Sequence, residues 1–356
     1  MSEVTGTPSA YAAAGVDIEA GDRAVELMKA HVARTRRPEV LGGLGGFAGF
    51  FDASAFKGYD HPVLATSTDG VGTKVAIAQA LDKHDTIGFD LIGMLVDDLV
   101  VVGAEPLFVT DYIACGKVVP ERIAAIVQGI AAACEVAGAS LLGGETAEHP
   151  GLLDADEYDI AGATTGVVEK DKILGPQRVQ AGDVVVALAS SGLHSNGYSL
   201  VRHVLLNQAG WALDRDVAEL GTTLGEALLT PTQVYARDIL ALIEAAEVHS
   251  ISHITGGGLA NNLARVLPEG IAATLRRDSW TPPAIFSLVQ QVGAVSQPDI
   301  EATLNMGVGM ALVAPADSVD QLVRTASERG LTAWVLGETA SVDGEARVEM
   351  LGEHPR

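Results

Sequence analysis

The loop TSTDGVGTK, residues 66–74, combines residue types that bind phosphate and metal ions. Gly70 and Gly72 allow backbone N–H groups to face an anion, and Lys74 adds a positive charge. Asp69 has a carboxylate of the kind that holds a divalent cation. An apolar strand leads directly into this loop. The pattern therefore favours a phosphate and cation site, and the alternative is an ordinary strand-to-helix turn.

Two further acidic features could complete a metal site. The stretch MLVDDLVVVGAEP places Asp97 and Asp98 inside an otherwise apolar helix, where burying an unpaired charge is costly. The stretch LLGGETAEHPG places Glu145 after a short strand and a Gly-Gly turn. Mg²⁺ prefers a few carboxylates together with phosphate oxygens and waters. Asp69, Asp98 and Glu145 are therefore a candidate metal set, and the alternative is three independent solvated acids.

The second half of the chain contains two more loops of the anion-binding type. SSGLHSNGYSLVR places His194, Ser195 and Asn196 between a strand and a helix, whose free N–H groups attract phosphate. HITGGGLANNLARVLP places three successive glycines before a short helix. Adjacent His and Ser residues do not make a nucleophile triad. His194 is the first candidate for proton transfer because imidazole titrates near neutral pH, and the alternative is a hydrogen-bonded loop histidine.

The glycine-rich run LGGLGGFAGFF matches no strict nucleotide-binding template in its context. No GxxxxGK[ST] sequence occurs in the chain. Residues 43–48 fit GxGxxA, but a dinucleotide site needs a strand before the glycines and a helix after them. Arg-Arg-Pro precedes the run and FDASAFKGYDHP follows it, so the sequence predicts neither. The run is a loop or a flap that closes over a ligand.

Alternating helices and strands must position these residues. The apolar pattern predicts helices at 25–32, 86–102, 121–137, 198–207, 231–246, 259–266, 283–293 and 319–330, with Asp85 as the N-cap of the second. It predicts strands at 63–66, 107–114, 140–142, 158–168, 184–189, 271–275, 307–313 and 333–336. The alternation indicates two layered domains of α+β or α/β class. The charged link at 169–183 divides them, giving domains at 1–170 and 171–356.

Composition excludes several classes of protein. A length of 356 residues suggests two domains. The 46 acidic residues exceed the 23 basic ones, and the net charge of −23 would repel a nucleic-acid backbone. The sequence predicts no secretory signal and no apolar run long enough to cross a bilayer, so we expect no membrane partner and a cytoplasmic location. Cys115 and Cys134, without CxxC spacing, are expected to be reduced thiols.

The motifs, taken in order, resemble the phosphoribosylformylglycinamidine cyclo-ligase family, within the wider ATP-binding AIR synthase-related superfamily. TDGVGTK or GGETAE alone would indicate only the superfamily, whereas the ordered set is specific. The matching stretches are YAAAGVDIEAG, TRRPEVLGGLGGF, TDGVGTK, HDTIGFDLIGMLVDDLVVVGAEPLF, GGETAE, YDIAGATTGVVEK, SSGLHSNGYSLVR, HITGGG and NMGVGM.

The resemblance implies an ATP-dependent ring closure in purine biosynthesis. Formylglycinamidine ribonucleotide becomes aminoimidazole ribonucleotide, with release of ADP and phosphate. The formyl oxygen takes the γ-phosphoryl group, and an amidine nitrogen then displaces phosphate, while the protein positions the groups and neutralises charge. The implied cofactors are ATP and Mg²⁺, with a need for K⁺ left open. The resemblance also implies a homodimer in which the mixed N-terminal sheets complete a barrel, and a C-terminal α/β domain.

The resemblance assigns roles to individual residues. The implied metal ligands are Asp69, Asp98 and Glu145. The implied ATP-binding residues are Gly42, Gly43, Gly45, Gly46, Phe47, Gly70, Gly72, Thr73, Lys74 and Asp111, with residues 1–60 as a flexible arm that includes the flap. The implied substrate-binding residues are His194, Ser195, Asn196, Gly256, Gly257 and Gly258. Those implied to be catalytic are His194, Lys74 and Asp98.

A departure from the family pattern bears on the metal site, and three competing functions are open. Asp97 stands where the family commonly has Asn, which predicts a fourth carboxylate near the metal. The first competing function is a sister ATP-dependent enzyme, such as selenophosphate synthetase or thiamin-monophosphate kinase. The absence of Cys from the first 50 residues disfavours selenophosphate synthetase. The others are a non-catalytic nucleotide-binding protein of the same fold and a dinucleotide oxidoreductase.

Overall fold

Two mixed β-sheets, one in each half of the chain, organise the fold. The structure is a computed structural model that describes residues 17–43 and 45–355. The first 16 residues of the predicted arm and Leu44 of the predicted flap lie outside the described residues. Among the described residues, no helix has both the length and the apolar character needed to cross a membrane.

The N-terminal half contains a small hairpin and a four-stranded half-barrel. The strands are β1 (Val40–Leu41), β2 (Phe50–Phe51), β3 (Pro62–Gly70), β4 (Glu105–Cys115), β5 (Ser140–Glu148) and β6 (Tyr158–Glu169). The helices are α1 (Ile18–Arg34), α2 (Val75–Leu81), α3 (Ile87–Val100) and α4 (Pro120–Ala137). The half-barrel has the order β3-β6-β4-β5, in which only the β4–β5 pair is parallel.

The C-terminal half is built on a six-stranded sheet of order β10-β12-β7-β13-β11-β14. Its strands, with the short β8–β9 hairpin, are β7 (Val184–Ala189), β8 (Asp216–Val217), β9 (Thr222–Thr223), β10 (Ser250–His253), β11 (Ile271–Arg276), β12 (Val308–Ala314), β13 (Ala333–Ser341) and β14 (Arg347–Leu351). Its helices are α5 (Tyr198–Arg202), α6 (Leu224–Leu228), α7 (Ala236–Ala245), α8 (Gly258–Ala264), α9 (Ala284–Gly293), α10 (Gln297–Glu301) and α11 (Val319–Glu328).

Helices α3 and α4 cover one face of the half-barrel and meet at two glycines. A Cβ on Gly88 would lie 2.0 Å from the backbone nitrogen of Ile130, and one on Gly129 would lie 2.4 Å from the carbonyl oxygen of Asp85. The missing side chains let the helix backbones approach closely. The predicted N-cap at Asp85 is wrong, because Thr86 takes that position and makes no side-chain cap.

Helix α1 fixes much of the predicted flexible arm to the N-terminal half. Its Ala24 and Val32 side chains are buried, and Arg34 Nε lies 2.9 Å from Glu135 Oε1 on α4. Arg23 forms a second ion pair with Glu121. The segment 18–34 is therefore a packed helix, and the expectation of a flexible arm is wrong for this part.

Candidate functional site

Lys74, at the end of the glycine loop, points into the interior. Its side chain has no exposed surface, and its Nζ lies 2.6 Å from Asp90 Oδ1 on α3. The ammonium also donates to the backbone carbonyls of His194 and Thr230, at 2.9 and 2.7 Å. An ammonium has only three N–H donors, so all three are engaged. A phosphate could not reach Nζ without breaking one of these bonds, and the arrangement contradicts the predicted contact between Lys74 and ATP.

Asp90 is the centre of the same buried cluster. Its Oδ1 also accepts the backbone N–H of Thr232 at 3.0 Å and the Thr232 hydroxyl at 2.7 Å. Burial lowers the pKa of Lys74 and raises the pKa of Asp90, while the attraction between them opposes both shifts. Removal of one partner would leave the other as an uncompensated buried charge.

Asp97 is engaged by a helix of the C-terminal half and not by the loops of the predicted site. It is fully buried and accepts the Tyr235 backbone N–H through both oxygens, at 3.0 and 3.3 Å. Tyr235 is the N-cap of α7, whose N-terminal end favours negative charge. Burial raises the pKa of Asp97 well above its ordinary value. The expectation of a fourth carboxylate at the metal is therefore wrong.

Asp98 lies at the junction of the two halves. Its side chain is 45% exposed, and its Oδ1 lies 2.9 Å from Nδ1 of the buried His253 on β10. His253 Nε2 is buried and has no hydrogen-bond partner within the described chain. This contact orients the Asp98 carboxylate. Sequence reasoning missed His253, although it begins the motif HITGGG, which contains the three glycines predicted to bind substrate.

The predicted ATP loop, residues 66–74, and the predicted substrate loop, residues 190–202, are in direct contact. The Ser195 hydroxyl donates to the Val71 carbonyl at 2.8 Å, and the Thr73 and Ser199 hydroxyls lie 3.3 Å apart. Gly72 and Thr73 are exposed, and nothing lies within 4 Å of where a Gly72 Cβ would stand. These two residues are therefore accessible to a ligand, unlike Lys74.

His194 presents a buried ring atom without a partner. Its Nε2 accepts the Ser191 backbone N–H at 3.2 Å, while its Nδ1 is buried and unpaired within residues 17–43 and 45–355. Burial lowers the pKa of His194 well below its ordinary value, and nearby His253 and Lys74 lower it further. In the neutral tautomer that these contacts select, the proton is on Nδ1. His194 therefore offers a buried N–H donor.

The glycine loop after β10 completes this group of loops. A Cβ on Gly256 would lie 3.5 Å from Asn196 Oδ1, so the two predicted substrate segments meet there. Gly257 and Gly258 have φ of +101° and +73°, in the left-handed region. A Cβ on Gly258 would lie 1.7 Å from the Glu301 carbonyl oxygen, so only glycine fits.

The predicted metal set is not assembled within one chain. The register aligns Asp69 with Gly162, Asp111 and Gly144 across the half-barrel, which puts Asp69 and Gly144 at opposite edges, about 14 Å apart at three strand spacings. Glu145 follows Gly144, so alternation turns it to the face opposite Asp69. No group of three His, Cys, Asp or Glu residues in the described part could hold a metal ion. Asp69, Asp98 and Glu145 therefore do not form a single metal site here.

Asp111 lies on β4 beside Gly144. A Cβ on Gly144 would lie 2.1 Å from Asp111 Oδ1, so this glycine makes room for the carboxylate. Burial raises the pKa of Asp111 to about 7. The two glycines of GGETAE therefore continue strand β5, and the predicted Gly-Gly turn is wrong.

The glycine-rich run joins strands β1 and β2 of the small hairpin. Gly42 and Gly45 have φ of +78° and +97°, and the Phe47 side chain is fully exposed. A hairpin strand and not a helix follows the run, which disagrees with the dinucleotide template. A cavity of about 240 Å³ lies beside it, with Lys29 and Arg36 in its lining. Gly43 and Gly46 lie in the same run, whose role as a flap stays a prediction.

Two family matches cover most of the chain. Residues 52–168 match AIR synthase related protein, N-terminal domain, and residues 180–349 match AIR synthase related protein, C-terminal domain. A phosphoribosylformylglycinamidine cyclo-ligase from Shouchella clausii is 52% identical over 94% of this chain and 97% of its own. The chain belongs to the phosphoribosylformylglycinamidine cyclo-ligase family. A second member, from Geobacillus kaustophilus, is 52% identical over 94% of this chain and 96% of its own.

Two solved structures from other families share the fold. Thiamine-monophosphate kinase from Stenotrophomonas maltophilia has a TM-score of 0.66 and 22% identity, over 92% of this chain and 96% of its own. Hydrogenase maturation protein HypE in complex with ATP has a TM-score of 0.61 and 17% identity, over 93% of this chain and 91% of its own. At these identities the likeness concerns the fold alone. The chain is thus an enzyme of the cyclo-ligase family built on a fold that it shares with other families.

Proposed function

We propose that this chain closes the imidazole ring of aminoimidazole ribonucleotide, using ATP and formylglycinamidine ribonucleotide and releasing ADP and phosphate. The observation that carries the proposal is the 52% identity to a cyclo-ligase along nearly the whole length of both chains. The thiamine-monophosphate kinase resemblance, at 22% identity, does not favour the kinase as an alternative.

The accessible residues of the glycine loop are suited to the ATP phosphates. Gly70, Gly72 and Thr73 offer backbone N–H groups and a hydroxyl beside the substrate loop. The HypE structure that contains ATP has the same fold, which supports nucleotide binding by this architecture. The hairpin run, residues 42–47, would cover the nucleotide, and Asp111 on the half-barrel remains a candidate nucleotide contact.

The carboxylates of Asp69 and Asp98 are the proposed holders of Mg²⁺. Both side chains are exposed enough to bind an ion, and His253 already orients Asp98. Mg²⁺ bound there would offset the charge that develops on the transferred phosphoryl group. Glu145 lies on the other face of the half-barrel, so its proposed metal contact is separate from these two.

The loops of the C-terminal half would hold the ribonucleotide. The His194 Nδ1–H has no partner among the described residues and would donate to a phosphate or amide oxygen, and Ser195, Asn196 and residues 256–258 are the other proposed contacts. The amide oxygen of the substrate is a poor leaving group, whereas phosphate is a good one. Phosphorylation followed by amidine attack therefore replaces one difficult dehydration with two easier steps.

A homodimer is the proposed assembly. The face of the half-barrel opposite α3 and α4 exposes Leu64 and Tyr112 by 60% and 42% of their surfaces. Thr66, Thr68 and Thr110 lie on the same face and are also exposed. A second copy of this face would bury those side chains, as completion of a barrel requires.

A coupled ADP assay tests the proposed reaction. We expect ADP only when formylglycinamidine ribonucleotide, ATP and Mg²⁺ are all present, and none when thiamine monophosphate replaces the ribonucleotide. Asp98→Asn at limiting Mg²⁺ should lower the rate at least tenfold, or about 1.4 kcal/mol, because one charge is lost from the metal and phosphate contacts. Asp343→Asn, on an exposed turn, is the matched control and should keep the wild-type rate. ADP formation without the ribonucleotide would overturn the proposal.

A further inference from the structure

Lys74 connects three segments that are far apart in the sequence. Its ammonium touches Asp90 on α3, the His194 carbonyl in the substrate loop and the Thr230 carbonyl before α7. The Tyr198 ring centroid lies 5.4 Å from Nζ and closes another side of the pocket. A side chain enclosed in this way stabilises the backbone that it contacts and does not reach a bound ligand.

The backbone that Lys74 contacts is strained. His194 has φ of +59°, in the left-handed region that residues with a side chain adopt uncommonly, although His, Asn and Asp do so more often than most. Such a conformation persists only where surrounding contacts impose it. The carbonyl of this same residue accepts a hydrogen bond from Lys74, and the next residue, Ser195, is bonded to Val71. Both contacts come from the predicted ATP loop.

We infer that Lys74 is a positioning residue for the ribonucleotide, which fixes the backbone of residues 190–197 from within, and that it makes no contact with ATP. The inference rests on the proposed function, since it assigns that loop to the substrate. Phosphate contacts then belong to Gly72 and Thr73, which are exposed. The Asp90 carboxylate holds the ammonium in place, and the Thr232 hydrogen bonds hold Asp90.

Steady-state kinetics separate this role from phosphate binding. The variant Lys74→Met/Asp90→Asn removes both buried charges together and leaves neither unpaired. We expect its KM for formylglycinamidine ribonucleotide to rise at least tenfold, while its KM for ATP changes less than about twofold. Thr73→Ala is the matched contrast, and it should raise the KM for ATP without changing the KM for the ribonucleotide. A rise in the KM for ATP with an unchanged ribonucleotide KM in the double variant would overturn the inference, as would two unchanged constants.

Hydrogen exchange provides a readout that does not depend on the reaction. In the double variant, amides of residues 190–197 should exchange faster than in the wild type, whereas those of β11 and β14, at the far edge of the C-terminal sheet, should keep their rates. Unchanged exchange in residues 190–197 would contradict the inference. Failure of the proposed function is a different result: the wild type would make no ADP with the ribonucleotide, while the exchange comparison would still decide the role of Lys74.

A milder variant covers the case in which the double variant does not fold. Thr232→Val keeps the Lys74–Asp90 pair and removes only the hydroxyl bond to Asp90 Oδ1. We expect a rise of about twofold to threefold in the KM for the ribonucleotide, no change in the KM for ATP and a smaller increase in exchange at 190–197. The reverse pattern of the two constants, or no change in either, would contradict the inference.

Discussion

His194 combines a buried neutral ring with a strained backbone. Because burial lowers its pKa well below the ordinary value near 6.5, the unfolded chain binds a proton in a pH range where the folded chain does not. Stability that depends on this residue is therefore present above about pH 6.5 and decreases as the pH falls toward the lowered folded pKa. The same property keeps the ring neutral during turnover near pH 7, so that it can donate from Nδ1.

The variant His194→Asn tests this pH dependence. Asn tolerates a positive φ and has no charged form, so the variant should lose less stability on acidification. Between pH 6.5 and 5, we expect the slope of the unfolding free energy against pH to decrease by up to about 1.4 kcal/mol per pH unit. Urea unfolding at several pH values measures the slope. His203→Asn, on an exposed histidine, leaves the buried ring in place and should keep the wild-type slope. Equal slopes in the two variants would show that His194 does not cause the effect.

The site residues could be predicted as motifs, but their partners could not. TDGVGTK, SSGLHSNGYS and HITGGG identify loops that the structure brings together. Several of the interior contacts join residues that lie more than 100 positions apart in the sequence, such as Asp98 and His253 or Asp97 and Tyr235. Local pattern contains no information on these pairs. Lys74 is the instructive case, because a lysine after a glycine loop suggests a phosphate contact, whereas tertiary packing uses the ammonium inside the protein.

Among the elements, the crossing of α3 and α4 depends on close backbone contact. Gly88→Ala would place a methyl group 2.0 Å from the Ile130 backbone nitrogen, so the helices must separate. We expect a loss of at least about 2 kcal/mol in the free energy of unfolding by urea. Gly21→Ala, in α1, is the control, because no atom lies within 4 Å of where a Gly21 Cβ would stand. It should be neutral or stabilise the protein by up to about 1 kcal/mol. Similar effects of the two substitutions would show that the helix crossing does not require glycine.

Elements with a strong apolar period were predictable to within a few residues, and short or polar ones were not. The predicted strand at 184–189 is confirmed in full, and the predicted helix at 121–137 begins one residue earlier as α4. Strand β10 was missed because SISH has little apolar pattern, although all four residues are buried by pairing with β12. Strand β14 was missed although its charged and apolar residues alternate, as in a half-buried strand, at the sheet edge beside β11. Tertiary pairing, and not local propensity, decides β10.

On the scale of the whole molecule, the two halves are held together along one face of α3. Asp90, Met94, Asp97 and Asp98 recur at helical spacing, and each contacts the C-terminal half. The acidic residues of this otherwise apolar helix therefore make polar contacts between the two halves of the chain. Only Asp98 remains exposed enough to serve a ligand. Asp90, Asp97 and Asp183 are the buried acidic residues of the described chain, so most of the net charge of −23 lies on the outer surface, where it opposes the approach of a second copy.

The proposed dimer must overcome this repulsion through the open face of the half-barrel. Leu64 is 60% exposed there, so Leu64→Glu would bury a charge against the partner and should convert the protein to a monomer. Sedimentation equilibrium measures the result, since one chain has a mass of 36.8 kDa and the wild type should have twice that mass. Leu351→Glu is the matched control, because Leu351 is a 50% exposed leucine on β14 and should leave the dimer intact.

The salt dependence of dimerisation provides a second test of the proposed dimer face. Screening shortens the reach of the surface charges to about 10 Å at 0.1 M ionic strength, so the wild-type dimer should strengthen as salt is added from low concentration. The Leu64→Glu variant should remain monomeric at every salt concentration, because burial of its carboxylate opposes association even when long-range repulsion is screened. A wild type that is monomeric at every salt concentration would contradict the proposed dimer. A Leu64→Glu variant that dimerises like the wild type would place the contact elsewhere than on this face.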